Sequence, residues 1–330
     1  MNTAESPQAG AARRRWRTVD GIVLLNKPAG LTSNHALQRV RRALRAEKAG
    51  HAGTLDPLAT GMLPLCFGQA TKACGSLLGQ RKAYRATVRL GVATDTGDSE
   101  GRVIDERPVP AFGPEQLAQV LDGLRGERLQ VPPMYSALKR DGQPLYEIAR
   151  RGGHVEREPR PIVIDALDLV AHDAATIEFE VTCSKGTYVR VLAEEIAAGL
   201  GTVGHLTSLR RLWVEPFAAG GEVTLAEIEA WAADGDPERL DDPTRRPAWL
   251  RPVDCAFPGL PEVRLDDGQS LHLRQGRDLP APATAGGPLL RAYDTAGQFL
   301  GLVVIGPDGR LRVQRLFVPG AGTGPAHANT

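Results

Sequence analysis

The sequence lacks the features of membrane-spanning and disulfide-bonded proteins. It contains no run of 18 or more uncharged apolar residues, which excludes a transmembrane helix. No apolar segment follows the arginine-rich start, so we do not expect a secretory signal. The four cysteines form no Cys-x-x-Cys pair, a pattern typical of reduced thiols and not of a disulfide framework or a zinc site. Together these absences predict a cytoplasmic protein.

A P-loop is also absent, so the sequence gives no sign of nucleoside triphosphate chemistry. What remains is ordinary for a globular chain, with 42% hydrophobic and 24% charged residues. A length of 330 residues is sufficient for two domains and a sizeable core.

Acidic residues are scarce in the first 90 positions, where four acids stand against 15 lysines and arginines. The whole chain has a net charge of only +1, so the remainder is acidic. Only six of the 40 basic residues are lysine, and compositional bias explains the choice of arginine. It does not explain the missing acids, and the segregated charge therefore predicts a polyanionic partner for the N-terminal part.

Hydrophobic periodicity and turn residues divide the chain into four parts. We expect a disordered basic arm at 1–17, a large domain at 18–250, a small β-barrel domain at 251–322 and a tail at 323–330. Apolar runs or alternation predict strands over Gly21–Asn26, Leu63–Phe67, Tyr84–Leu90, Ile162–Val170, Thr176–Cys183 and His205–Val214. Helices are predicted after Thr32 or Ser33, around Ala70–Leu78, over Pro114–Leu124, and over Tyr188–Leu200 with Thr187 as its cap.

The segment GHAGTLDPLATG at residues 50–61 is neither periodic nor low in complexity, and its composition predicts a structured loop. Pro57 disfavours helical backbone at Asp56, the only acid between Glu47 and Asp95. A positive surround would keep this carboxylate ionised, as a nucleophile or general base must be. An isolated Asp-Pro dipeptide is more often a simple turn, so the loop alone does not establish a catalytic site.

Six blocks in fixed order resemble the bacterial tRNA pseudouridine-55 synthase family. They are GIVLLNKPAGLTS, KAGHAGTLDPLATGMLPLCFGQATK, KAYRATVRLGVATDTGDSEG, QVPPMYSALKRDGQPLYEIARRG, VTCSKGTYVRVLAEEIAAGLG and HLTSLRRL. The resemblance implies an α+β pseudouridine-synthase fold, with a mixed, largely antiparallel sheet flanked by helices and a small PUA-like C-terminal β-barrel. It also implies isomerisation of uridine to pseudouridine at position 55 in the T-loop of tRNA, with the target base flipped out of its stack. The resemblance implies no cofactor, no metal ion and no association with a membrane.

The same resemblance assigns candidate roles to single residues. It implies that Asp56 is the catalytic aspartate, that Arg190 pairs with it and that Tyr84 stacks on the target uracil. The candidate substrate-binding residues implied by the matched motifs are His51, Tyr188, Leu209, Lys27 and Lys72. Of these, Lys27 and Lys72 are expected to contact the pocket or RNA phosphates. Whether the carboxylate attacks the base or the sugar, or first removes a proton, is left open by the sequence.

Three alternatives remain at this stage. An RNA-binding or tRNA-folding module would show the same charge segregation and barrel, with catalysis incidental. A hydrolase that uses Asp56 and His51 is a second alternative, and an enzyme that works inside a guide-RNA complex is a third. The chain has no long basic extensions, which favours a stand-alone enzyme that binds the T-arm of tRNA with no obligatory protein partner.

Overall fold

The computed structural model describes residues 16–317, except for 236, 241, 243 and 283–285. Most of the expected N-terminal arm and all of the expected C-terminal tail therefore lie outside the described residues. The division into domains stays a prediction.

The described residues form a large sheet with its helices, followed by a smaller sheet. The strands of the first part are β1 (Gly21–Lys27), β2 (Ala49–His51), β3 (Thr60–Phe67), β4 (Lys82–Leu90), β5 (Val92–Thr94), β6 (Val103–Glu106), β7 (Gly126–Gln130), β8 (Lys139–Arg140), β9 (Gln143–Pro144), β10 (Arg160–His172), β11 (Thr176–Cys183), β12 (Gly204–Val214), β13 (Val223–Thr224) and β14 (Leu250–Arg251). The strands of the second part are β15 (Glu262–Arg264), β16 (Leu279–Pro280), β17 (Leu289–Tyr293), β18 (Phe299–Ile305) and β19 (Arg310–Leu316). The helices are α1 (Ser33–Leu44), α2 (Cys74–Leu78), α3 (Pro114–Gly123), α4 (Leu145–Arg150), α5 (Val189–Gly199), α6 (Leu225–Ala233) and α7 (Asp267–Arg274).

The large sheet has the order β13-β1-β3-β12-β4-β11-β10-β7, with β14 on β1 and β2 on β3. Its pairings are antiparallel except for β1–β13 and β3–β12. This confirms the expected mixed, largely antiparallel sheet. Strand β12 lies between β3 and β4. A strand from the second half of the chain is therefore inserted between two strands from the first half.

Burial explains why some strands alternate and others do not. Strand β4 buries Tyr84, Ala86 and Val88 on one face and exposes Arg85 and Arg89 on the other. Strands β1 and β3 are continuous apolar runs because both of their faces are covered. One face packs in the main hydrophobic cluster with α1, α5 and α6, and the other packs towards the C-terminal sheet.

The C-terminal sheet has the order β15-β17-β18-β19-β16. Strands β15 and β16 do not pair with each other in the described part, so the expected barrel is present as a PUA-like half-barrel. It has its own apolar cluster, and a second cluster joins it to the large sheet. That shared cluster brings Phe257, Leu302 and Phe317 against Ile22 and Met62. The two sheets are therefore packed together by apolar contact.

Three predictions about helices can be compared with the structure. Thr32 caps α1 as expected, since its side chain accepts a hydrogen bond from the His35 N–H at 3.1 Å. The prediction that Thr187 caps α5 is wrong. Tyr188 is the N-cap residue, and the Thr187 hydroxyl donates instead to the Ser184 carbonyl at 3.0 Å. The helix expected around Ala70–Leu78 is a 3₁₀ turn, Gly68–Ala73, that continues into the short α2.

Candidate active site

The loop between β2 and β3 carries Asp56 and is fixed at several points. The Ser33 hydroxyl donates to the Leu55 carbonyl at 3.0 Å and accepts from the Leu55 N–H at 2.7 Å. The Pro57 carbonyl accepts from the Gly30 N–H at 2.8 Å. Both partners belong to the turn before α1 or to its first residue. The position of the Asp56 backbone is therefore set by the N-terminal end of α1.

The side chain of Arg190, in the first turn of α5, reaches the carboxylate of this loop. Its Nε lies 3.0 Å from Oδ2 of Asp56 and 3.7 Å from Oδ2 of Asp98. Its other two nitrogens donate to the carbonyls of Thr96 at 2.7 Å and of Tyr135 at 2.6 Å. The arginine side chain is 4% exposed and that of Asp56 is 34% exposed. One oxygen edge of Asp56 is thus open while the other is held by a buried guanidinium.

Burial raises the pKa of Asp56, and the adjacent Arg190 guanidinium opposes the rise. The carboxylate of Asp98 raises the same pKa further. A guanidinium in contact stabilises the ionised form of a carboxyl group that has lost part of its hydration. The arginine therefore offsets part of the desolvation of the half-buried Asp56 carboxylate.

Tyr84 and Leu209 lie on the same face of neighbouring strands. In the β4–β12 pairing Tyr84 is opposite Arg211 and Leu209 is opposite Ala86, so the two side chains are diagonal neighbours. Both are largely buried, at 8% and 7% exposed. Burial raises the pKa of Tyr84, Arg211 opposes the rise, and the charge of Asp56 adds to it. The Tyr84 phenol and the Asp56 carboxylate are therefore within electrostatic range of each other.

Tyr188 is held at the start of α5, two residues before Arg190. Its N–H donates to Oε1 of the buried Gln130 at 2.8 Å, and Nε2 of Gln130 donates to its carbonyl at 3.2 Å. Burial raises the pKa of Tyr188, with Arg190 opposing and Asp56 adding to the rise. The structure therefore brings together four of the residues expected at the site, namely Asp56, Arg190, Tyr84 and Tyr188, and places Leu209 beside Tyr84.

Comparison with known proteins decides the family. Residues 41–189 match the model of the TruB family pseudouridylate synthase N-terminal domain, and residues 261–317 match the model of the C-terminal domain of pseudouridine synthase II TruB. The chain is 46% identical over 309 residues to tRNA pseudouridine synthase B of Ectopseudomonas mendocina (strain ymp), covering 94% of this chain and 99% of that protein. It is 50% identical to the enzyme of the same name from Aromatoleum aromaticum, covering 92% and 94%. The chain belongs to the TruB family of pseudouridylate synthases.

Solved structures support the fold. A chain in the crystal structure of a Cbf5–Nop10–Gar1 complex superposes with a TM-score of 0.66 at 23% identity, covering 94% of this chain and 92% of that chain. A chain in an H/ACA RNP bound to a substrate RNA containing 2′-deoxyuridine gives the same TM-score at 21% identity, covering 94% and 93%. At this identity the likeness concerns the fold.

Lys27 does not contact solvent, and its expected contact with the pocket or an RNA phosphate stays a prediction. Its side chain is fully buried, and its ammonium donates to the carbonyls of Pro28, Leu31 and Pro57 at 2.9, 2.6 and 3.3 Å. Burial lowers the pKa of Lys27 to about 8, and the charge of Asp56 opposes the decrease. In this TruB-family chain Lys27 is a buried link between β1, the start of α1 and the Asp56 loop.

Lys72 is partly exposed and is bonded to the C-terminal sheet, and its expected contact with the pocket or an RNA phosphate stays a prediction. Its ammonium donates to the carbonyl of Leu316 at 2.8 Å, and Arg315 donates to the carbonyl of Lys72 at 2.6 Å. Burial and the nearby cations lower the pKa of Lys72. The residue links the 3₁₀ turn after β3 to the last strand of the C-terminal sheet.

His51 ends β2, five residues before Asp56. Its Nδ1 is buried and has no hydrogen-bond partner among the described residues. Burial lowers the pKa of His51, and the charge of Arg211 lowers it further. The imidazole is therefore neutral near pH 7, which suits a contact with a base or a ribose better than a contact with a phosphate.

Sequence reasoning missed two charged residues. Asp98 is 4% exposed, and its Oδ1 accepts from the Thr96 hydroxyl at 2.6 Å and the Glu100 N–H at 3.1 Å. Arg211 is fully buried beneath the loop. Both lie in the sequence blocks that carry the family resemblance, which was the available signal. In the sequence, Asp98 lies among other acidic residues and Arg211 directly follows another arginine. Both therefore look like ordinary surface residues.

No described group of three or more His, Cys, Asp or Glu side chains could hold a metal ion. In the part of the chain that the structure describes, no helix is long and apolar enough to cross a membrane. A glycine pattern of the G-x-G-x-x-G type does occur at Gly199, Gly201 and Gly204, but it follows α5 and precedes β12. The dinucleotide-binding fingerprint needs a strand before the glycines and a helix after them.

Proposed function

We propose that this protein converts uridine to pseudouridine at position 55 in the T-loop of tRNA. The observation that carries the proposal is the contact between Asp56 and Arg190, which holds a half-buried carboxylate within electrostatic range of Tyr84. The names and the 44–50% identity of the bacterial relatives support the substrate.

The reaction is an isomerisation and its atoms balance without a co-reactant. The bond between N1 of uracil and C1′ of ribose breaks, a bond between C5 and C1′ forms, the hydrogen of C5 leaves and N1 gains a hydrogen. Asp56 supplies the nucleophile or base for this sequence of steps. Arg190 keeps the Asp56 carboxylate ionised and positioned. Tyr84, Tyr188 and Leu209 would form a mainly apolar wall against the detached base, with the two tyrosine hydroxyls as its polar groups.

A base inside a folded T-loop must leave its stack to reach Asp56, which costs a few kcal/mol. We propose that His51, next to the loop, contacts the RNA where the base has left. The half-barrel would hold another part of the tRNA, since structured RNA is recognised mainly by shape and backbone. We further propose a cytoplasmic enzyme that acts on the T-arm without a guide RNA or an obligatory protein partner. The much lower identity to the complex-forming Cbf5 chain supports that choice.

The test is release of tritium from a tRNA transcript labelled at C5 of uridine, with only the purified protein and a chelator present. We expect one equivalent of tritium per tRNA, and none from a transcript with cytidine at position 55. Asp56→Asn keeps the size of the side chain and should abolish release, whereas Asp122→Asn on the exposed face of α3 should not change it. Tight tRNA binding by the wild-type protein with no release would instead identify an RNA-binding or RNA-folding module.

A further inference from the structure

Arg211 is the largest fully buried side chain of the described residues, and it is charged. No described carboxylate forms an ion pair with it. A guanidinium stays protonated in proteins, so burial without an acidic partner is expensive unless other groups satisfy its N–H donors. The positions of the groups that bond to Arg211 therefore indicate its role.

The groups that satisfy Arg211 lie at both ends of the Asp56 loop. Its Nη2 donates to the carbonyl of Gly53 at 3.2 Å, three residues before Asp56. Its Nε donates to the carbonyl of Met62 at 2.7 Å, in β3 just after the loop ends. One planar side chain thus holds together the two points where the loop leaves and rejoins the sheet.

The glycines of the loop leave room for this arginine. A Cβ at Gly53 would lie 3.2 Å from Nη1 of Arg211, and a Cβ at Gly61 would collide with the backbone of Arg211. Both glycines have a positive φ, +99° and +93°, which other residues rarely adopt. The loop therefore packs directly on the arginine with no intervening side chain.

The same arginine faces the phenol of the site. Arg211 and Tyr84 are direct cross-strand partners on β12 and β4, so their side chains lie side by side on one face. Its charge opposes the rise that burial imposes on the pKa of Tyr84. Arg211 therefore lies beside Tyr84 in the sheet, and its guanidinium is bonded to both ends of the Asp56 loop.

We infer that Arg211 is a positioning residue that fixes the Asp56 loop and Tyr84 relative to each other. The inference rests on the proposed function, because it concerns the geometry of the isomerisation site. Lysine at this position would keep the charge but could not present a fork to two carbonyls. A displacement of about 1 Å in a reacting group can cost about 100-fold in rate.

The test compares Arg211→Lys with Arg210→Lys, the same substitution on the opposite face of β12, where Arg210 contacts the Asn26 side chain at 3.3 Å. For Arg211→Lys we expect kcat to fall about 100-fold with KM for tRNA within threefold, as misplacement of reacting groups requires. Hydrogen exchange should accelerate in peptides covering 51–61 and stay unchanged in 160–183. Arg210→Lys should keep kcat within twofold. A purely structural role would instead accelerate exchange throughout and leave kcat of the folded fraction unchanged.

Gly53→Ala tests the same contact from the loop side should Arg211→Lys fail to fold. It places a methyl group against Nη1 of Arg211 without removing the buried charge. We expect the same loss of kcat at nearly constant KM, and a kcat within twofold of the wild type would overturn the inference. Wild-type tritium release is measured alongside, so that failure of the proposed function is seen separately from failure of this inference.

Discussion

Nε of Arg190 lies 3.0 Å from Oδ2 of Asp56, although the two residues are 134 positions apart in the chain. The same nitrogen lies 3.7 Å from Asp98, so one buried cation sits between two carboxylates. A net negative cluster of this kind makes the ionisation of Asp56 sensitive to each neighbour. Substitutions at the two neighbours should therefore shift the pH dependence of the reaction in opposite directions.

Replacing Arg190 by Gln should move the acid limb of the kcat–pH profile to higher pH. Burial already raises the pKa of Asp56, and removal of the opposing cation raises it further. In the proposed reaction the ionised carboxylate is the active form. The acid limb of the variant should therefore lie about 1–3 pH units above that of the wild type. The profile is measured by tritium release under single-turnover conditions. An unshifted acid limb would show that Arg190 does not control this ionisation.

Replacing Asp98 by Asn should move the acid limb to lower pH. The charge of Asp98 raises the pKa of Asp56, so its removal lowers that pKa and extends activity into acid. The amide oxygen can still accept from the Thr96 hydroxyl and the Glu100 N–H, so the turn is preserved. We also expect the plateau of kcat to fall about tenfold, because Arg190 loses one of its two anionic contacts. Asp105→Asn, in the nearby β5–β6 hairpin, is the matched control.

Elements of the large sheet could be predicted where the hydrophobic pattern is strong. The alternation of β4 and β11 reflects one covered face, and the apolar run of β1 reflects two. The hairpins β5–β6 and β8–β9 were missed because strands of only two to four residues are too short to show a periodicity. The position of β12 between β3 and β4 depends on long-range pairing, which no local pattern encodes.

The candidate site was predictable only through the family resemblance. Nothing local relates Asp56 to Arg190, because the contact is created by the packing of α5 against the large sheet. The N-cap of α5 shows the same limit. Thr187 is the better capping residue by type, but the N–H of Tyr188 is bonded by Gln130 from β7. Lys27 and Lys72 looked alike in the sequence, whereas in the structure Lys27 is fully buried and Lys72 is partly exposed and bonded to Leu316.

Replacing Lys27 by Met should destabilise the protein by about 3 kcal/mol, because three carbonyls lose a buried donor. The difference from the wild type should widen as the pH rises from about 8 to about 10. The pKa of Lys27 is about 8 in the folded protein and higher when it is unfolded. In this window the unfolded state binds more protons, so the wild type gains stability with pH and the variant does not. Urea unfolding at several pH values measures both effects, with the exposed Lys48→Met as the control.

Replacing Lys72 by Met separates the two roles considered for this lysine. A phosphate contact would contribute about 0.7–0.9 to the slope of log affinity against log salt for tRNA. The structure instead pairs its ammonium with the Leu316 carbonyl, so the slope should stay unchanged while the free energy of unfolding falls by about 1 kcal/mol. Lys72→Arg can still donate to that carbonyl and should restore the stability. A reduced salt slope in Lys72→Met with unchanged stability would return the residue to the RNA-binding surface. The expected result places it between the two sheets, where it holds the half-barrel against the domain that carries Asp56.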